Sequence, residues 1–406
     1  MKIVRIGIIG LGARGETLLA SIFEMGGDAG IEVTALCDVS QERIERIKNI
    51  FQQRNVPVPA IFTDYRQLLH DENVDAVLIP TSWNSHLKIA GEAMQCGKYA
   101  GIEVGGASSI DELWQLIHGA EATGVSCMML ENCCFGRNEM MALNLARKGL
   151  FGEIIHCACG YEHDLSEMAH MDNRLERAWH NLKRCGDLYP THGIGPIAKI
   201  LRINRGNRFV SLTSTASKAR GFAAESERSG HGRRVFNQGD IVTTVIKCAN
   251  GETITMTHGV SLPRPYSRDC RVQGTRGIWL EDANGIYIDG ISPKYEELDI
   301  AGNPYTVHRW TPVEELYEKY DHPVWQQYRD NVIGGHNGVD ALTIRIFCDA
   351  VRNRTTPPID VYDCAAWMAL SCLSEESIAK GSMPVAVPDF TNGKWIYEDP
   401  ADFWEL

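Results

Sequence analysis

Through residue 131, apolar runs alternate with helix-like stretches. Runs at 3–9, 31–37, 75–80, 98–103 and 125–130 read as strands, and 17–23 reads as part of a helix. Strands alternating with helices at this spacing predict a doubly wound α/β domain, a parallel sheet with helices on both faces. Beyond Asn132 the pattern changes. A helix-like stretch at 138–149 precedes an alternating strand at 154–161. Strand candidates then follow at 209–214, 241–248, 253–257, 269–273 and 277–280. Asn250-Gly251 is a hairpin signal between two of them. Strands without intervening helices predict an α+β domain built on a largely antiparallel open sheet. Residues 219–238 are polar and Gly-rich and read as a long loop, and a helix returns at 338–352. The expected division is 1–131 and 132–406.

In open α/β sheets ligands bind outside the carboxyl ends of the strands, and Gly10, Asp38, Thr81 and Glu103 fall at such ends. The first run leads into Gly10-Leu11-Gly12-Ala13-Arg14-Gly15. In a Gly-x-Gly-x-x-Gly turn the first Gly permits the bend and the second admits a pyrophosphate to the helix N-terminus. The third lets helix and strand pack closely. The second run ends in Asp38, placed to receive ribose hydroxyls. Gly10, Gly12, Ala13, Arg14, Gly15 and Asp38 are therefore the candidate dinucleotide cradle. Arg14 is a candidate pyrophosphate contact, against simple exposure. Asp38 is followed by Val39-Ser40 with no Arg directly after it, which favours NAD over its phosphate. Further cofactor candidates are Thr81, Trp83 (against adenine or ribose), His86 (or a structural cap), Glu103, and His336-Asn337, where Asn337 could instead cap a helix.

The 406 residues suffice for two domains with cores of their own, and 44% hydrophobic and 23% charged residues suit a soluble globular chain. A net charge of −12 argues against nucleic acid or an anionic membrane surface as partner. No apolar run reaches the ~18 residues of a membrane span. The N-terminus enters the first strand directly, without the pattern of a secretory leader. The thirteen cysteines form no metal-ligand spacing; Cys157 and Cys159 share one face of a strand. A cytoplasmic chain with reduced thiols and no metal is the expectation.

Tyr189 and His192 are three residues apart. If a helix starts at Tyr189, they share one face near its N-terminus, with Pro190 in the first turn. Such a pair can exchange protons near neutral pH; the alternative is a structural Tyr–His hydrogen bond. Tyr266 sits in a Pro-stiffened loop, Pro263-Arg264-Pro265-Tyr266, able to reach over a site. Tyr161, Glu162 and His163 follow a strand, and alternation lets at most two of them face a pocket. Tyr161 and His163 are the substrate-binding candidates, with Glu103 as a third.

Gly186-Asp187-Leu188-Tyr189-Pro190-Thr191-His192-Gly193-Ile194-Gly195-Pro196 resembles the signature stretch of glycoside hydrolase family 109, NAD-dependent glycosidases within the Gfo/Idh/MocA oxidoreductase superfamily. Supporting segments are Met129-Leu130-Glu131-Asn132-Cys133-Cys134, Gly335-His336-Asn337-Gly338-Val339-Asp340 and Pro388-Asp389-Phe390-Thr391-Asn392-Gly393. The resemblance implies transient oxidation at sugar carbon 3 by NAD, loss of the acidified proton on carbon 2, departure of the aglycone, water addition and re-reduction. An α-N-acetylgalactosaminide or related small glycoside is the implied substrate. The resemblance also implies that Tyr189, His192 and Tyr266 are catalytic and that Arg177 contacts sugar oxygens. An NAD-dependent sugar or inositol dehydrogenase is the competing reading. Against it, Glu103-Val104-Gly105 stands where those enzymes resemble one another in Glu-Lys-Pro, and Leu188 stands four residues before His192 where they carry Asp. A non-enzymatic cofactor-sensing protein on the same fold is a third reading, disfavoured by the Tyr–His pair. Gly105-Gly106 also departs from the glycosidases, where Pro and a small residue are expected. A sheet with an apolar outer face implies a homo-oligomer, a dimer or larger.

Overall fold

The computed structural model describes residues 2–171 and 176–397. The described residues form two compact units. The first takes those of Met1–Phe135 and Tyr328–Cys372; the second takes those of Gly136–Gln327 and Leu373–Asp399. This differs from a linear division at residue 131, because a late segment of the chain returns to the first unit.

In the first unit, β1 (Val4–Ile9), β2 (Ile31–Cys37), β3 (Ala60–Phe62), β4 (Ala76–Ile79), β5 (Tyr99–Ile102) and β6 (Cys127–Met129) form one parallel sheet in the order β3-β2-β1-β4-β5-β6. Every residue of β4 is buried, as expected for a strand covered on both faces. The order reverses beside β1, so the crevice at its carboxyl end is the topological switch point.

The second unit carries a nine-stranded mixed sheet. Its strands are β7 (Ile154–Glu162), β8 (Phe209–Ala216), β9 (Val242–Cys248), β10 (Thr253–Gly259), β11 (Arg271–Gly274), β12 (Gly277–Leu280), β13 (Gly285–Ile288), β16 (Thr311–Pro312) and β17 (Val385–Ala386). The order is β16-β13-β12-β11-β7-β10-β9-β8-β17; β7 and β10 run parallel and the other pairs antiparallel. A separate hairpin joins β14 (Lys294–Leu298) and β15 (Pro304–His308). Strand β9 alternates strictly, with Val242, Thr244, Ile246 and Cys248 buried and Thr243, Val245 and Lys247 exposed. The exposed positions of β9 are thus two polar side chains about one apolar one.

The span expected to be a loop at 219–238 contains the helix Gly221–Arg228. It is anchored by Asp240, whose carboxylate accepts the N–H groups of Arg220 and Gly221 at 2.8 Å each. The polar composition concealed this helix because its N-terminal acceptor lies 19–20 residues away in sequence, beyond any local capping pattern.

Candidate active site

The Gly-rich turn has the contacts a dinucleotide cradle requires. Gly10 has φ +104°, and a Cβ there would lie 2.9 Å from the Pro80 carbonyl oxygen. A Cβ on Gly15 would lie 2.1 Å from the Gly10 carbonyl oxygen, so only glycine lets the helix Ala13–Met25 approach β1 this closely. That helix starts at Gly12 with no side-chain cap, leaving its first N–H groups available to an anion. Asp38 is buried at the end of β2; its carboxylate accepts the N–H of Leu11 at 2.7 Å and of Ser40 at 2.8 Å. The acid that would meet a ribose is thereby fixed against the turn that would meet the pyrophosphate. Arg43, on the helix Gln41–Gln53, brings Nη1 to 3.6 Å from Asp38. Inspection of the residues directly after Asp38 does not reveal this neighbour, because a helical turn supplies it.

Arg14, read as a pyrophosphate contact, is instead bound within its own unit. Its Nε donates to Glu103 at 2.7 Å, and its two terminal nitrogens donate to Asp340 at 2.9 and 3.1 Å. Asp340 is fully buried and also accepts from Asn132 at 2.9 Å and bonds His336 Nδ1 at 2.7 Å. Two separate candidates, Arg14 and His336, therefore converge on Asp340, which sequence reasoning quoted in a motif but gave no role, and Arg14 links the third candidate, Glu103, to it. Thr81 lies beside Gly10, with its methyl 3.1 Å from where a Cβ on that glycine would be.

The structure also places three other candidates of this unit. His86 is fully buried in the helix Trp83–Gln95, so it belongs to the core of the unit and offers no surface to a cofactor. Trp83 is buried against Gly105, where a Cβ would lie 2.3 Å from the indole nitrogen. Gly105 also has φ +153°, so this indole and this glycine require each other, which explains the Gly105 departure from the expected proline. Asn337 does not cap the following helix, whose N-cap is Gly338; His336 and Asn337 both have positive φ, at 51° and 57°.

The second unit gathers the aromatic candidates. Tyr161, at the end of β7, lies with its ring centroid 4.5 Å from Tyr189, 5.8 Å from His192 and 6.1 Å from Tyr266. Tyr189 and His192 are 4.9 Å apart, edge to face. Tyr161 and His163 share a side, with the phenol oxygen 3.2 Å from Nδ1, as strand alternation requires. Arg177 places its guanidinium carbon 4.5 Å from the Tyr189 ring centroid and hydrogen-bonds both phenols.

Local sequence explains this convergence. The helix begins at Thr191, with Pro190 as N-cap, so Tyr189 lies just before it rather than on a shared helical face with His192. The rings meet through the turn instead. A Cβ on Gly193 would lie 2.7 Å from both the N and O of Gly160, so glycine at 193 lets this helix pack onto the β7 backbone. Preceding residues are buried without strand partners, and side chains satisfy them: Gln238 brackets Gly186 at 3.1 and 2.8 Å, and Ser374 accepts the Asp187 N–H at 2.8 Å. The Tyr266 loop is tied to β7 by reciprocal backbone bonds between Glu162 and Ser267, at 3.0 and 2.9 Å, and by the Arg264–Glu162 ion pair.

Comparison with known proteins now decides the family. Residues 135–397 match the model described as glycosyl hydrolase 109, C-terminal domain, and residues 4–131 match that of the oxidoreductase family, NAD-binding Rossmann fold. The chain is 40% identical to an α-N-acetylgalactosaminidase of Tannerella forsythia, over 98% of this chain and 88% of that protein. It belongs to glycosyl hydrolase family 109. A family 109 protein of Parabacteroides distasonis is 39% identical over 98% of this chain and 89% of its own length. Among solved structures, levoglucosan dehydrogenase in complex with NADH and levoglucosan matches at TM-score 0.68 and 17% identity, covering 96% of this chain and 100% of that one. A scyllo-inositol dehydrogenase from Lactobacillus casei matches at TM-score 0.65 and 14% identity, covering 95% and 99%. At such identities these two establish the shared fold alone. The family 109 chain is a glycosidase with a nucleotide-binding Rossmann domain.

Electrostatics then distinguish the members of this family 109 cluster. Burial pushes the Tyr161 phenol up, and neighbouring Tyr189 adds to the rise, while Arg177 and His192 oppose it. Burial, with Arg177 nearby, lowers His163, so its imidazole is neutral near pH 7. Burial works against the Arg177 charge, but the phenols of Tyr189 and Tyr161 more than offset it, and the cation is retained. A fixed cation beside two phenols stabilises negative charge as it develops on a phenol oxygen.

Proposed function

We propose that the chain is an NAD-dependent glycosidase acting on α-N-acetylgalactosaminides or related small glycosides through transient oxidation of the sugar. The observation that carries the reading is the cluster of Tyr161, Tyr189, His192 and Arg177 in a family 109 chain. The turn at Gly10–Gly15, the uncapped helix start and Asp38 fit a dinucleotide, with the turn and helix taking the pyrophosphate and Asp38 the ribose. When bound, NAD supplies reversible hydride acceptance at a sugar carbon.

The chain's own side chains move the protons. Tyr189 takes the proton of the sugar hydroxyl, with Arg177 at its ring offsetting the charge that forms on the phenol oxygen. His192, beside it, exchanges that proton. Tyr161 and His163 hold sugar oxygens as a neutral donor–acceptor pair, and Tyr266 reaches in from its tied loop as the second proton-transfer group. Proton transfers of this kind contribute about 10²–10⁴ in rate. We also read the protein as a cytoplasmic homo-oligomer, on its thiol-rich composition and its family resemblance.

The test is hydrolysis of 4-nitrophenyl N-acetyl-α-galactosaminide in D₂O with NAD, followed by mass spectrometry of the freed sugar. Nitrophenol release, one deuterium fixed on carbon 2 and no net NADH are expected. Accumulation of NADH with the glycosidic bond intact would overturn the reading in favour of a sugar dehydrogenase.

A further inference from the structure

Beneath the phenol cluster lies a pair of titratable groups that the proposed reaction leaves unused. Asp187 and His258 are both buried, and Asp187 Oδ1 is 3.8 Å from His258 Nδ1. Asp187 Oδ2 and both His258 nitrogens have no hydrogen-bond partner among the described residues. The Asp187 carboxyl accepts the Tyr189 backbone N–H, while its own N–H is held by Ser374. His258 is the register partner of Tyr161 across β10 and β7, and their rings stack at 6.2 Å and 23°. One group thus fixes the main chain of Tyr189 and the other lies flat behind Tyr161.

We propose that Asp187 is a positioning residue that serves the site as a protonated, uncharged carboxyl, with neutral His258 as its companion. The proposal rests on the reading of Tyr189 as a proton-transfer group. At 3.8 Å the two groups are beyond hydrogen-bonding distance, so an ionised pair would lose its hydration without gaining a charge-assisted hydrogen bond. Burial accordingly pushes Asp187 up to about 7, and burial with Arg177 pushes His258 down to about 3. The surrounding groups are consistent with this. Cys159 on β7 faces Asp187 and is pushed up well above its ordinary range by burial, so it brings no charge. Tyr161 is pushed up and neutral; Ser374 is a hydroxyl; Arg177 is the nearby cation and acts on His258. Arg184, close along the chain, is paired with Glu375.

An uncharged Asp187 matters because a carboxylate here would oppose the negative charge that Arg177 is placed to stabilise on the phenols. Ionisation of Asp187 therefore weakens proton transfer at Tyr189, and the sign of the pH dependence follows. The folded-state value is raised above the ordinary one, so its contribution to stability is complete below about pH 4 and lost as pH rises through about 7.

The experiment compares Asp187→Asn with the wild-type chain. Asn keeps the shape and an acceptor oxygen but cannot ionise. The thermal midpoint of D187N should gain on the wild type by several degrees between about pH 4 and 7 and stay level above. The wild-type kcat for the nitrophenyl glycoside should fall about tenfold from pH 6 to 8, and D187N should lack that limb. Asp187→Ala, which removes the acceptor for Tyr189, should lower kcat at every pH. A stability difference flat with pH, or an unchanged alkaline limb in D187N, overturns the proposal. If no glycoside is cleaved, the glycosidase reading fails while the stability comparison still decides the state of Asp187. If D187N does not fold, infrared titration of E139Q, which lacks another buried carboxyl raised by burial, decides it. A protonated-carboxyl band lost near pH 7 supports the proposal, and its absence at pH 6 overturns it.

Discussion

Replacing glycine by alanine in two helices of this protein should have opposite effects. Gly193, in the helix Thr191–Ile200, would place a Cβ 2.7 Å from two backbone atoms of Gly160. Ordinary contact begins at 3.4 Å, so the helix must retreat from β7 by about 0.7 Å, and backbone atoms cannot swing aside as a side chain can. Overpacking of this kind costs about 1–3 kcal/mol. The backbone contact places it in the upper part of that range, and the helical preference for Ala returns about 1 kcal/mol. A net loss of about 1–2 kcal/mol remains. Gly91, in the helix Trp83–Gln95, has nothing within 4 Å of its ideal Cβ. There the same substitution should stabilise by about 0.5–1 kcal/mol. Calorimetry should move the first variant's midpoint down and the second's up. Catalysis should separate them further, because retreat of the Gly193 helix carries His192 away from Tyr161, now 5.8 Å between centroids. Misplacement by ~1 Å can cost about 100-fold in rate, so G193A should lose about 10- to 100-fold in kcat while G91A keeps wild-type activity. A G193A variant as stable and active as wild type would refute the close-approach argument.

Tyr189→Phe should lower kcat by about 100-fold or more and also lower the thermal midpoint, because buried Arg177 loses one of its two phenol partners at a cost of about 1–3 kcal/mol; steady-state kinetics with calorimetry checks both. Asp38→Ala leaves the N–H groups of Leu11 and Ser40 without their acceptor. It should weaken NAD binding by about 5- to 150-fold in a fluorescence titration, at about 1–3 kcal/mol. Arg14→Ala leaves Asp340 buried with His336 and Asn132 as its remaining side-chain partners among the described residues and should destabilise by about 3 kcal/mol. Burial alone would raise Asp340, but bonds from His336 and Arg14 hold it well below the usual carboxylate range. Its stabilisation is therefore present above about pH 4 and lost as pH falls further. Acid unfolding should show R14A losing less stability than wild type over that window.

The sequence by itself determined the elements and the chemistry they bear. Period and run length gave β12 with its observed bounds and most other named strands to within a few residues, because local burial is written in local pattern. The Gly10–Gly15 turn and Asp38 were legible for the same reason, since backbone approach to a pyrophosphate demands glycine at fixed offsets. The Tyr189–His192 pair was legible as residue types close in sequence. What the tertiary structure decided are partnerships between residues far apart in the chain. Asp340 became the hub for Arg14, Asn132 and His336 only because residues 328–372 return to the first unit. Asp187 met His258, 71 residues on, only because β10 lies parallel beside β7. Gly105 carried no visible purpose until Trp83 was found against it. A buried charge or ring is defined by what surrounds it, and those surroundings come from distant stretches of chain whose pairing no local pattern encodes.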